Sequence, residues 1–212
     1  MKRISKFSII LLSLCLFSCS KKDGPIDDPT QNTLSLPNLN LDFELRNDVY
    51  PSLPKYWMTG LTKDTESINF SVSLDDQEKH SGNLSLKFEI SYNPDSCAVI
   101  FSDSLPLKDF VGKTVEVKGW IKTQGVVNGY PGLWFNASDA NGNVLNFKST
   151  YSQNLNGDND WTQVSMTIYG ISQNAASIYF GGAFPGLYTQ GKGTVWFDDL
   201  ELYVNGTKVN TN

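Results

Sequence analysis

Apolar and polar residues alternate with a period of two along most of the chain from Asn38 to about Val204. Leu39, Leu41 and Phe43 alternate with Asn40, Asp42 and Glu44. Leu84, Leu86, Phe88 and Ile90 form the apolar side of another run. Val115, Val117, Gly119 and Ile121 stand against Glu116, Lys118, Trp120 and Lys122, and Leu133, Phe135 and Ala137 against Trp134, Asn136 and Ser138. Val164, Met166 and Ile168 alternate with Gln163, Ser165 and Thr167, and Ile178 and Phe180 enclose Tyr179. Each run reads as a half-buried strand, because successive side chains of a strand point to opposite faces. Gly, Asn, Asp and Pro separate the runs; Asp139 to Asn143 reads as a hairpin turn. No helical period of useful length appears, so the pattern predicts a single all-β domain, a sandwich or a barrel.

The run that closes the domain is Gly193 to Leu202. Read straight through, Trp196, Leu200 and Leu202 share one parity and take the core face. Asp198 has the same parity and is expected to point inward. A carboxylate in apolar surroundings needs a counter-charge, hydrogen bonds or a cation.

The first residues bear on location. Lys2, Arg3 and Lys6 precede an apolar run from Phe7 to Phe17, too short for a membrane span and of the length of a signal-peptide core. Leu16-Phe17-Ser18-Cys19 resembles the lipobox of bacterial lipoproteins, which implies cleavage after residue 18 and a lipid on the Cys19 thiol. Residues 19–37 then form a tether with Lys21, Lys22, Asp23, Asp27, Asp28 and three prolines, too polar to order itself. The early acidic residues are similar to signals that send some lipoproteins to the outer face of the outer membrane, although Ser20 and Lys21 directly follow the cysteine. The expected location is therefore the outer membrane, on the periplasmic or, in preference, the surface side.

Cleavage lowers the basic residues from 17 to 14 against 22 acidic ones, a net charge of about −8. That excludes nucleic acid as a natural partner and limits membrane contact to the lipid. Of the three cysteines only Cys97 remains as a thiol, so no internal disulfide can form. The expected organisation is signal peptide 1–18, tether 19–37, sandwich 38–205 and a C-terminal tail 206–212.

Six short motifs follow one another in a familiar order: Asn-Leu-Asp-Phe-Glu at 40–44, a Pro–Trp loop at 54–57, Ser-Gly-Asn-Leu-Ser-Leu at 81–86, Val-Lys-Gly-Trp-Ile-Lys-Thr at 117–123, Asp-Trp-Thr at 160–162 and Val-Trp-Phe-Asp-Asp-Leu-Glu-Leu at 195–202. Together they resemble the galactose-binding-like domains, which include many carbohydrate-binding modules. The resemblance covers nearly the whole domain and implies a two-sheet jelly-roll β-sandwich. It also implies a structural calcium held by Glu44, Asp198 and a backbone carbonyl near Gly82. Calcium takes 6–8 oxygens, so carboxylates and carbonyls suit it. The alternative is that Asp198 accepts backbone N–H groups and Glu44 pairs with a lysine such as Lys79. A single His and one free Cys argue against zinc.

Candidate ligand contacts are the aromatics on the wrong parity, Trp120, Trp134 and Tyr179, with Lys118 and Asn136 on the same polar side of their strands. Aromatic faces stack on sugar rings while amides and charges meet hydroxyls. For Trp120 the competing reading is cover by a loop. A second candidate surface is the loop end, where Tyr130 and Tyr188 lie in glycine- and proline-containing segments. Trp57 and Trp161 read as core or rim packing. His80 has no nucleophile or phosphate-loop motif around it, which argues against an enzyme. A glycosidase needs only two carboxylates, so that class stays open beside a structural or protein-interaction domain. The expected function is non-catalytic glycan binding at the cell envelope, alongside proteins that cut or import the glycan.

Overall fold

The structure is a computed structural model and describes residues 34–61, 69–92, 98–102, 105–185 and 191–211. The lipobox with Cys19, most of the tether, Cys97 and Tyr188 lie outside the described residues. Among the described residues eleven strands follow in order: β1 (Trp57–Leu61), β2 (Asn69–Asp75), β3 (Ser85–Tyr92), β4 (Ala98–Ser102), β5 (Val115–Val127), β6 (Gly132–Ser138), β7 (Val144–Ser149), β8 (Gly157–Ile168), β9 (Ser177–Phe184), β10 (Lys192–Val204) and β11 (Thr207–Lys208). They form two antiparallel sheets. One has the order β1-β4-β9-β6-β7; the other has β2-β3-β10-β5-β8, with β11 added beside β10. The predicted all-β two-sheet sandwich is the observed architecture.

The alternating residues supply the core. Leu86, Phe88, Val117 and Ile121 from one sheet meet Leu133, Phe135, Ile178 and Phe180 from the other, all without solvent exposure. Trp57 packs with them, against Phe43 and Phe180, and its indole N–H donates to the Leu39 and Asn40 carbonyls.

Strand β10 departs from the simple reading. Its pairing with β5 runs in register from Val195↔Thr123 to Asp198↔Trp120, then shifts before Glu201↔Lys118. Asp199, in the left-handed region at φ 46°, lies within this irregularity. An inserted residue turns every later side chain to the other face. Val195 and Phe197 therefore face the core before the irregularity, and Leu200 and Leu202 after it. Trp196 and Asp198, expected on the core face, lie instead on the outer side of the sheet. Trp196 is still only 4 % exposed. Its indole N–H donates to Asp75 Oδ2 at 2.9 Å, and the Lys87 ammonium lies 5.8 Å from its ring centre.

Both ends of the folded unit extend past the expected boundaries. Leu36 is buried, with its N–H on the Asn210 carbonyl, and the Asn210 N–H returns to Leu34. Asn205 and Gly206 both have positive φ, as a two-residue hairpin turn requires, and they reverse β10 into β11. Val209 is then buried. Residues 34–37 and 206–210 belong to the sandwich rather than to a tether and a tail.

Candidate functional site

The outer face of the five-stranded sheet is set by register. Leu133, Phe135 and Ala137 of β6 point into the core, so Trp134 and Asn136 point out. Across the ladders, Trp134 stands opposite Gly181 of β9 and Ser149 of β7; Asn136 stands opposite Tyr179 and Phe147. Directly opposed residues share a face. Two rows result: Gly181, Trp134 and Ser149, then Tyr179, Asn136 and Phe147. Neither row contains a charge.

The parts of this face differ in how firmly they are held. Trp134 donates its indole N–H to the Gly182 carbonyl at 3.2 Å. Gly181, opposite it on β9, carries no side chain. Asn136 donates through Nδ2 to Ser138 Oγ at 2.8 Å. Its Oδ1 is buried with no hydrogen-bond partner among the described residues. Phe147, on the edge strand, is 46 % exposed. It has no place among the residues expected from sequence. A hairpin closed at Asp139–Asn143 would by itself pair Asn136 with Asn146; the register shift between Ala137 and Ser138 brings Phe147 there instead, and nothing in the alternation signals it.

The expected ligand set divides in two. Trp134, Asn136 and Tyr179 come together as predicted. Lys118 and Trp120 lie on β5, on the outer face of the other sheet, and cannot share a ligand surface with them. Alternation reports that a side chain points away from the core; it does not report which sheet it sits on. Lys118 Nζ lies 3.5 Å from Glu116 and 4.5 Å from the Tyr203 ring centre. Trp120 is stacked on His80, with ring centres 3.9 Å apart and planes 15° apart, and Trp161 meets the same imidazole edge-on. The loop cover considered for Trp120 is thus the His80 turn. At the loop end Tyr130 is partly exposed and its backbone N–H bonds the Pro185 carbonyl.

The expected metal edge is a third site. Asp198 Oδ2 accepts the N–H groups of His80 at 2.8 Å and Ser81 at 3.2 Å, and Oδ1 accepts that of Asp199 at 2.8 Å. Glu44 Oε1 accepts the N–H groups of Asn83 at 2.6 Å and Leu84 at 2.9 Å; Oε2 takes the Asn83 amide at 3.1 Å. Asp199 accepts from His80 Nδ1 at 2.6 Å and from Ser81 Oγ at 2.9 Å. Burial, reinforced by Asp199 alongside, pushes the Asp198 carboxyl up to about 6 against the pull of its N–H donors. For Glu44, burial pushes upward, but the Asn83 and Leu84 donors outweigh it and the net shift is downward. Lys79 donates to the Asp76 carbonyl instead of meeting Glu44. Backbone N–H groups therefore answer both carboxylates, and a set of donors does not suit calcium. The contacts run Ser81–Asp199–His80, with the hydroxyl on the carboxylate and not on the imidazole, so they do not form a nucleophile–base pair.

No family model matches the sequence, and no curated protein matches it. Solved structures do share its shape. One, from a study of promiscuous specificity in carbohydrate-binding modules of the β-sandwich superfamily, has a TM-score of 0.51 at 14 % identity, over 80 % of this chain and 63 % of that one. The Stig cyclase FisC from Fischerella sp. TAU has a TM-score of 0.51 at 18 % identity, over 81 % and 98 %. The C-terminal family 22 carbohydrate-binding module of Clostridium thermocellum Xyn10B has 0.48 at 15 %, over 81 % and 98 %. The protein has the two-sheet jelly-roll β-sandwich fold found in carbohydrate-binding modules. A cyclase shares that fold, so the ligand must be argued from the site.

Proposed function

We propose that the protein is a non-catalytic glycan-binding lipoprotein. It holds a neutral oligo- or polysaccharide on the outer face of the five-stranded sheet. The observation that carries this reading is the uncharged group of Trp134, Tyr179, Phe147 and Asn136, with one amide acceptor left without a protein donor. Stacking a sugar's C–H face on these rings removes apolar area from water, at about 25 cal/mol per Å². Asn136 Oδ1 is buried, so a ligand hydroxyl would satisfy it, a group whose isolation costs about 1–3 kcal/mol, only by drawing the amide outward. The fold shared with carbohydrate-binding modules supports the same reading. The lipid on Cys19 holds the domain at the outer membrane, where it presents glycan to proteins that cut or import it. A glycan array with the purified domain tests this: binding to neutral glycans is expected, and an array without hits favours a structural or protein-interaction role on the envelope.

A further inference from the structure

We infer that the edge formed by Glu44, Asp198 and the His80–Leu84 turn works without a metal ion, the turn's own N–H groups standing where a cation would be needed. In a trans peptide the N–H and the preceding carbonyl point in opposite directions. The Asn83 N–H points at Glu44 Oε1. The carbonyl of that same peptide is Gly82's, and it therefore points away from Glu44. The Ser81 N–H points at Asp198 Oδ2, so the His80 carbonyl points away from Asp198 in the same manner. A calcium held jointly by Glu44, Asp198 and the Gly82 carbonyl would require this turn to reverse its peptides. As folded, the turn presents a row of donors, which is an anion-receiving arrangement.

Gly82 takes a different role in this account. It has φ +60°, and a Cβ there would lie 2.2 Å from Glu44 Oε1. Glycine is required because the carboxylate rests directly on the backbone, not because its carbonyl binds an ion. The His80 imidazole completes the edge by meeting Asp199 while stacked on Trp120.

The test is thermal unfolding of the purified protein, stripped of metal, in EDTA and in millimolar calcium. The wild-type midpoint is expected to be the same in both. Glu44→Gln, which replaces one acceptor oxygen by a donor, is expected to lower the midpoint by about 2–10 °C, equally in both buffers. Terbium luminescence excited through the tryptophans provides a second readout that does not depend on the variant folding, and no saturable signal is expected. A wild-type midpoint raised by calcium, or a saturable terbium signal lost in Glu44→Gln, overturns the inference. A Glu44→Gln midpoint equal to wild type in EDTA overturns it as well, because the hydrogen bonds would then do nothing.

Discussion

The two outer faces of the sandwich both carry tryptophan, and they treat it differently. On the sheet containing β5 and β10, Trp120 is covered by His80, and Trp196 is buried under Asp75 and Lys87. Lys122 bridges toward Glu78 at 2.7 Å and Asp160 at 3.8 Å. Charge and ring answer one another there, beside a cavity of about 390 Å³ lined by Glu78, Lys122, Asp160 and Trp196. On the sheet containing β6 and β9, Asn136 stands between Tyr179 and Phe147 and two residues from Trp134, and its buried amide oxygen has no hydrogen-bond partner among the described residues. An aromatic on an outer face is therefore not evidence of a ligand. Unmatched hydrogen-bonding capacity among uncharged rings is the better sign.

This contrast can be broken at several points. The largest effect is expected at Trp196. Its replacement by Ala empties a site that is nearly inaccessible and leaves Asp75 Oδ2 without its indole donor. A loss of about 3–5 kcal/mol is expected in urea unfolding, with glycan affinity of the folded fraction unchanged. A loss of affinity without a loss of stability would place Trp196 among the ligand residues.

Next in size is the pH response of Asp198. Its folded-state carboxyl titrates at about 6, above the ordinary carboxylate value. Its stabilising contribution is thus fully present below about pH 4 and is lost as the pH rises through 6, amounting to about 3 kcal/mol at most. Glu44 and Asp75, held low by hydrogen bonds despite burial, act in the opposite direction and weaken as the pH falls. Carboxylate NMR of the folded protein checks this, with a midpoint near 6 for Asp198 expected; a midpoint near 4 contradicts the burial argument.

A smaller effect is expected at Phe147. Ala in its place removes a half-exposed ring from the ligand face, and affinity should fall by about tenfold with little change in stability. The smallest is the response to salt. Because the face is uncharged, raising ionic strength should leave affinity nearly constant, since screening acts on charges. A steep salt dependence would move the binding site to the charged sheet.

The fold was legible because alternation and turn chemistry are local. The inward residues of β3, β5, β6, β8 and β9 were each identified by parity alone. Two features were hidden for physical reasons. The irregularity after Asp198 reverses parity without any break in the apolar pattern, so Trp196 seemed to belong to the core. Sheet membership depends on pairing between distant strands, so Trp120 and Trp134 looked equivalent although they lie on opposite faces. The Asn205-Gly206 turn was different: its dipeptide is a hairpin signal in its own right, and it marks residues 206–210 as part of the fold.

The proposed glycan surface lies on one outer face, whereas on the other Trp120 and Trp196 are held by the protein's own side chains. Calorimetry on a glycan found by the array, with Trp134→Ala and Trp120→Ala measured beside wild type, tests this contrast most directly. Trp134→Ala is expected to lose most of the affinity while remaining folded, and Trp120→Ala to keep its affinity while losing stability with the His80 stack. Unchanged affinity in Trp134→Ala, or its loss in a folded Trp120→Ala, would contradict the account.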